Sequence, residues 1–219
     1  MTSPRKAAAQ PLLQAVADGA FFFRRFLDDP TGVASIVPSS RYLSAAMFDG
    51  LTLAGDHCLV EFGPGTGAFT LEVERRRQAG VNLRYLGIER DPALHRRLSQ
   101  RFPELDFQLG DVADVHRFVQ ARGLGTVHCI LSGLPLVLFS ERQLDDIFTA
   151  VTRVLHPDGE FRTFTYVNSY PTPGSVRLRR RLRKTFAGFS VSAPVLRNLP
   201  PALVMCCTAP RQDRPANAP

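Results

Sequence analysis

The sequence predicts an α/β fold built on a mostly parallel, doubly wound sheet with helices on both faces. Three observations predict it. From residue 58 onward, short apolar runs alternate with amphipathic stretches of helical length. The first run ends in an acid followed by glycines at every second position, Glu61-Phe-Gly63-Pro-Gly65-Thr-Gly67. The next two runs also end at acids, Glu89 and Asp111.

Residues 58–62 read as the first strand, and the glycines turn the chain into a helix over 67–79. Glycine has no β-carbon, so such a turn takes positive φ and lets a polar ligand lie against bare backbone. A tight turn with no ligand is the plain alternative for any single glycine triplet. Residues 83–88 read as a second strand ending at Glu89-Arg90, where nucleotide-type folds hydrogen-bond a ribose diol. A helix over 91–102 leads to a third strand, 105–109, closed by Gly110-Asp111-Val112. A carboxylate beside an apolar residue suits an adenine ring, with its exocyclic amine and apolar faces. A helix over 113–121, a strand over 126–131 and an amphipathic helix over 141–155 follow. After the turn Pro157-Asp158-Gly159 come strands over 160–167, 186–195 and 202–208. Residues 1–11 and 209–219 read as flexible tails around one domain, 12–208, whose residues 12–50 form an N-terminal helical element.

The ordered set of Glu61 with Gly63, Gly65 and Gly67, then Glu89, then Asp111 resembles the binding signature of class I S-adenosylmethionine-dependent methyltransferases. Its spacing differs from the Gly-x-Gly-x-x-Gly of nicotinamide enzymes. The resemblance implies a Rossmann-like, seven-stranded sheet whose last strand is inserted antiparallel. It also implies S-adenosylmethionine as cofactor, held by Glu61, Gly63, Gly65, Gly67, Glu89, Arg90, Asp111, Val112 and Ser132.

Composition narrows the class. At 219 residues and 44% hydrophobic the chain can bury a full core as one domain. No run approaches the roughly 18 apolar residues of a spanning helix, and the N-terminus lacks the regions of a secretory signal. A cytoplasmic, monomeric protein, peripheral on the inner face of the membrane, is the expectation. Cys58 and Cys129 fall in core strands and Cys206-Cys207 are adjacent, so no zinc spacing occurs. His57, His95, His116, His128 and His156 are scattered without a ligand or triad pattern. No metal is expected.

The fourth strand ends in Ser132-Gly133-Leu134-Pro135-Leu136. Amino-methylating enzymes carry an Asn/Asp-Pro-Pro-Tyr type of loop there; Ser132 replaces the amide or acid and Leu136 the aromatic, which argues against a stacked base. A simple βα turn is the structural alternative. Together with Pro38-Ser39-Ser40-Arg41-Tyr42-Leu43, Phe164-Thr-Tyr166 and Arg197-Asn198-Leu-Pro-Pro-Ala202, the loop resembles bacterial phospholipid N-methyltransferases of the phosphatidylethanolamine type, themselves similar to ribosomal RNA adenine dimethylases. The resemblance runs from Phe22 to Thr208; the arginine-rich stretch 169–189 and the lack of tryptophan depart from it. It implies methylation of phosphatidylethanolamine, its methylated intermediates or a related amino-lipid, in the manner of phosphatidylcholine biosynthesis. Ser132, Gly133, Leu134, Tyr42 and Tyr166 are the candidates around the reacting nitrogen, with either tyrosine open to a packing role instead. Ser39, Arg41, Tyr42, Tyr166, Arg197 and Asn198 are the candidates for holding the lipid headgroup, because a guanidinium fork matches phosphate oxygens.

Two segments point toward a membrane. Leu12, Leu13, Val16, Phe23, Phe26 and Leu27 share one helical stripe, widened by Phe21 and Phe22 and flanked by Arg24-Arg25. Such an amphipathic helix suits a headgroup interface, and equally a lid over the methyl donor. From Val176 to Phe186, Leu178, Leu182 and Phe186 share one face, with Arg177, Arg179, Arg180, Arg181, Arg183 and Lys184 around the rest. With a net charge of +7, this element attracts anionic lipid, and would attract RNA as well. An rRNA adenine N6-methyltransferase, weakened by Ser132 and Leu136, and a non-catalytic membrane- or RNA-binding protein with a retained cofactor pocket are the alternative readings.

Overall fold

A computed structural model describes residues 40–53 and 55–211. The N-terminal stripe of residues 12–27, Ser39 and the segment 212–219 lie outside the described residues. Seven strands make one sheet: β1 (Cys58–Phe62), β2 (Arg84–Glu89), β3 (Asp106–Leu109), β4 (Val127–Ser132), β5 (Leu155–Tyr166), β6 (Phe186–Val191) and β7 (Ala202–Pro210). Their order is β3-β2-β1-β4-β5-β7-β6. The β1 to β5 pairings are parallel, and β7 runs antiparallel to both β5 and β6. The fold is the Rossmann-like class I methyltransferase architecture.

Burial on both faces of the sheet explains the continuous apolar runs, since a central parallel strand has no solvent side to alternate with. All five residues of β1 are buried. Cys58, Val60 and Phe62 face one core, where α4 (Val115–Ala121), α5 (Glu141–Val154) and α6 (Pro173–Thr185) supply Val115, Phe148 and Leu178 among others. Leu59 faces the opposite core, built with α1 (Arg41–Phe48), α2 (Ala68–Gln78) and α3 (Pro92–Arg101) through Leu43, Phe69 and Leu98. Glu61 lies on that second face by the period-2 alternation of a strand.

Local signals set the helix starts. Ser140 and Gln143 form a reciprocal capping box on α5. Asp91 caps α3 ahead of Pro92, and Thr172 caps α6 ahead of Pro173. Ser40 caps α1, accepting from the Leu43 N–H at 3.3 Å.

Several boundaries differ from the sequence reading. The turn expected at 157–159 is absorbed into β5 as a bulge: Val127 pairs with Leu155, yet Cys129 pairs with Glu160. The helix expected over 113–121 starts as a 3-10 turn, Val112–Asp114. The strand expected over 186–195 stops at Val191, and β7 runs on to Pro210, two residues past the expected end of the domain. A buried arginine also escaped the sequence reading. Arg162 on β5 pairs with Glu160 at 2.7 Å and donates to the Met47 and Asp49 carbonyls, fastening the end of α1 to the sheet. Among the described residues, no helix is long and apolar enough to cross a membrane.

Candidate active site

The strand order reverses direction between β1 and β4, where an open α/β sheet offers its ligand crevice. Three backbone bonds stitch the strand ends around it. Gly63 N–H donates to the Ile88 carbonyl at 2.9 Å, Gly133 N–H to Phe62 at 2.8 Å and Gly110 N–H to Glu89 at 3.0 Å. Gly63, Gly65 and Gly67 all have positive φ, +64°, +59° and +84°. A β-carbon on Gly63 would stand 2.6 Å from Leu134 Cδ2, and one on Gly67 would stand 2.7 Å from the Phe102 ring. Leu134 of the fourth-strand loop therefore packs against the first glycine.

Glu61 is fully buried. Its Oε2 accepts from Tyr85 Oη at 2.6 Å and Thr70 Oγ1 at 2.8 Å, while Oε1 is buried with no hydrogen-bond partner. Burial lifts its pKa from 4.5 to about 7, against the opposing pull of the two hydroxyl donors. The sequence reading missed Tyr85, Thr70 and the residue that makes room for them. Gly87 sits opposite Glu61 in the sheet, and a β-carbon there would lie 2.8 Å from Tyr85 Oη. A tyrosine two residues before a glycine in β2 was the available signal.

Glu89 accepts from the Gly65 N–H at 3.0 Å through Oε2 and from the Asp91 N–H at 3.0 Å through Oε1. It ties the glycine loop to the start of α3 and keeps lone pairs for a further donor. Arg90 next to it is exposed. Asp111 is exposed and accepts from the Ala113 N–H at 2.9 Å, opening the 3-10 turn. Val112 lies mostly within the core beneath that turn.

Ser132 is fully buried rather than open to an acceptor. Its hydroxyl accepts from the Leu134 N–H at 3.4 Å, and its carbonyl from Thr163 Oγ1 at 3.3 Å. It shapes the Gly133-Leu134 turn from below. Tyr166, at the end of β5, is half-buried, stacks edge-on to Phe164 with centroids 5.8 Å apart, and has its pKa raised by burial.

The headgroup candidates fall in two distant stretches of sequence that the fold joins. Arg41 donates to the Tyr42 hydroxyl at 2.9 Å and Arg197 reaches it at 3.5 Å. The two guanidinium carbons stand 4.9 and 5.1 Å from the Tyr42 ring centroid. The Arg41 hydrogen bond and charge, joined by Arg197, lower the Tyr42 pKa. Asn198 is nearly fully buried and fixes this geometry: Oδ1 accepts from the Ser40 N–H at 2.9 Å, and Nδ2 donates to the Pro200 carbonyl at 2.7 Å.

Away from this end, three of the five histidines come together in space. The rings of His57 and His128 stack at 4.1 Å, and those of His128 and His156 at 5.1 Å, beside a cavity of about 240 Å³. A second cavity, about 460 Å³, opens between the ends of α4 and α5. Neither is lined by the glycine loop. Among the described residues, no group of His, Cys, Asp and Glu has the geometry of a metal site.

Comparison with known proteins agrees with this fold. The methyltransferase-domain family matches residues 59–159. Ornithine lipid N-methyltransferase of Singulisphaera acidiphila is 31% identical over 199 residues, covering 90% of this chain and 98% of that protein. The TehB-like S-adenosylmethionine-dependent methyltransferase of Corynebacterium glutamicum shares the fold at a TM-score of 0.57 and 17% identity, over 87% of this chain and 99% of that one. So does magnesium protoporphyrin IX methyltransferase of Synechocystis, solved with S-adenosylmethionine bound, at a TM-score of 0.55 and 11% identity over 76% of each chain. S-adenosylmethionine is the cofactor, and the unpartnered Glu61 Oε1 beside a loop of positive-φ glycines fits a ligand with cationic centres. The chain belongs to the class I S-adenosylmethionine-dependent methyltransferases, in the N-methyltransferase family that includes the ornithine lipid enzyme of Singulisphaera acidiphila.

Proposed function

We propose that this enzyme methylates the amine of an amino-lipid headgroup at a membrane surface. The observation that carries the reading is the pair of guanidiniums, Arg41 and Arg197, converging on Tyr42. Among the described residues neither forms an ion pair with a carboxylate. Two like charges brought together without a counter-ion favour an anionic ligand, and Arg suits phosphate and carboxylate alike. An ornithine lipid offers a carboxylate near its amine, and phosphatidylethanolamine a phosphate. The relative in Singulisphaera favours the first.

In this reading Glu61, the glycine loop, Glu89 and the Asp111-Val112 turn hold S-adenosylmethionine, which supplies an electrophilic methyl group when bound. The remaining task of the chain is to align a neutral amine and exclude water. A primary ammonium with a pKa of about 10.4 in solution must lose its proton first. Arg41 and Arg197 anchor the anionic end of the headgroup. The Ser132-shaped turn at Gly133-Leu134 and the half-buried Tyr166 bound the place where the amine sits. Burial keeps the Tyr166 phenol neutral, so its ring and hydroxyl meet the forming cation without a competing charge.

Exposed Arg180, Arg183 and Lys184 on α6 support attraction to anionic lipid, at about 1 kcal/mol per basic residue near the surface. The other arginines of that helix are engaged within the protein. Arg177 donates to the Phe139 carbonyl, Arg179 to Tyr170, and Arg181 pairs with Asp145. That reduces the pull of this helix on anionic lipid and RNA alike.

The test is transfer of labelled methyl from S-adenosylmethionine to vesicles containing ornithine lipid, vesicles containing phosphatidylethanolamine, and ribosomal RNA. Label in either amino-lipid and none in RNA is expected. Labelled RNA with unlabelled lipid overturns the reading.

A further inference from the structure

Leu196 and Leu199 are the most exposed large hydrophobic side chains among the described residues, 75% and 72% exposed where the others reach 45% at most. They lie on the connection between β6 and β7, which arches over the carboxyl end of the parallel strands because β6 runs in the same direction as β5. Backbone bonds from Val195 to Ala202 at 2.7 Å and from Val167 to Pro201 at 2.8 Å hold its base. Asn198, between the two leucines, is tied down to Ser40. The exposure is thus built into a pinned tip. Arg197 stands between Leu196 and Asn198, and Leu138 and Val167 at neighbouring strand ends are also exposed.

The stretch of chain that carries this tip has charge of one sign, although Arg162, Arg177, Arg179 and Arg181 within it are bound to other parts of the protein. Between Glu160 and Asp213 the sequence holds no acidic residue, while arginine and lysine occur nine times. A carboxylate-free stretch of that length avoids repulsion from anionic headgroups, and exposed leucines flanking an arginine combine apolar burial with a headgroup contact. A soluble acceptor gives no reason to hold two leucines in water.

We propose that the Leu196–Leu199 tip is a lipid-contacting surface that seats the open end of the sheet on an anionic bilayer, with both leucines in the acyl boundary and Arg197 at headgroup level. The proposal builds on the amino-lipid reading and adds the surface through which the headgroup reaches Tyr42.

The chain contains no tryptophan, so Leu196→Trp introduces a unique indole at the tip. Asp158→Trp does so at the opposite end of β5, where the side chain is 94% exposed. With vesicles of phosphatidylglycerol and ornithine lipid, the indole of Leu196→Trp is expected to shift to the blue and to be quenched by brominated acyl chains. That of Asp158→Trp is expected to do neither. Leu196→Ser and Leu199→Ser should each weaken vesicle binding by about tenfold, the effect of losing one buried leucine. Their S-adenosylmethionine affinity and methylation of short-chain amino-lipid dissolved as monomers, below its critical micelle concentration, should stay at parent level, which excludes misfolding. The proposal is overturned if the tip indole stays in water with vesicles present, if both indoles respond alike, or if the tip indole is already blue-shifted without lipid, which would mean that another segment or a second copy covers it. Methylation by the parent with an unresponsive indole removes the surface and leaves the amino-lipid reading. An inserted indole with no lipid methylation does the reverse.

Discussion

Tyr85 on β2 donates to Glu61 on β1 at 2.6 Å, wholly within the core, so the acid that closes the first strand is held by its neighbouring strand before any ligand arrives. Without that donor, burial would push the carboxyl still further toward its neutral form.

A pH dependence of stability follows. Glu61 rises from 4.5 to about 7 on folding, so between these values the unfolded chain ionises it while the native protein keeps the proton. The contribution of this group is greatest at acid pH and is lost as pH rises from 4.5 toward 7, by on the order of 3 kcal/mol. Glu61→Gln should remove that slope, read as the difference in Tm between variant and parent at pH 4.5 and pH 8. A difference that does not change with pH would contradict it.

Cofactor affinity should move the other way. Cationic centres near Glu61 favour its ionised form, so S-adenosylmethionine should bind more tightly as pH rises through about 7, with proton release below that. Calorimetry in buffers of different ionisation enthalpy measures the released proton. Glu61→Gln should weaken binding and abolish the release.

Gly63→Ala combines a left-handed backbone, costing about 1–2 kcal/mol for a residue with a β-carbon, with a contact at 2.6 Å to Leu134. Leu134→Ala in the same chain should relieve the contact and leave the backbone cost. Partial recovery of Tm in the double variant, with cofactor affinity still reduced, is the expected pattern.

At the headgroup site, Arg197→Ala should raise KM for amino-lipid by about 10- to 100-fold, the range for losing a charged hydrogen bond. Cofactor affinity should hold, because the hydrogen bond of Arg197 in this cluster is to Tyr42 and not to Glu61, Glu89 or the glycines. Arg197→Lys should recover only part of the loss, since a lysine lacks the planar fork.

The histidine stack predicts acid sensitivity. His128 Nδ1 accepts from the Cys58 N–H at 3.2 Å, a bond that the neutral ring alone can make. Burial, then the neighbouring His57 and His156, lower the His128 pKa from 6.5. The unfolded chain therefore takes up a proton first, and stability falls as pH drops below 6.5 toward the depressed native value. His128→Gln should flatten this part of the Tm profile, and it acts opposite in sign to Glu61→Gln.

The parallel core was legible because β1, β2 and β4 are buried on both faces and read as unbroken apolar runs. The cofactor half was legible too, since Glu61, the glycines and Glu89 lie within some 30 residues along the chain. The Arg41–Tyr42–Arg197 cluster could be named from resemblance, but its geometry depends on Asn198 meeting Ser40 across 158 residues, which no local pattern encodes. Ser132 reads in sequence as a candidate beside the reacting nitrogen; the Thr163 hydroxyl on β5 that bonds its carbonyl is not encoded locally. Three histidines far apart in sequence form a stack because His57 precedes β1, His128 lies in β4 and His156 lies in β5, at the same end of adjacent strands.

Because β7 lies between β5 and β6, the 192–201 connection is a hairpin arch whose two feet stand on neighbouring strands, while the glycine loop and Glu89 belong to β1 and β2 on the other side of the sheet. The two sets of contacts share no strand. Exchange of the arch between relatives, with Ser40 retained to receive Asn198, would thus replace Arg197 and its flanking leucines while leaving Arg41, Tyr42, Tyr166 and the methyl-donor half as they are.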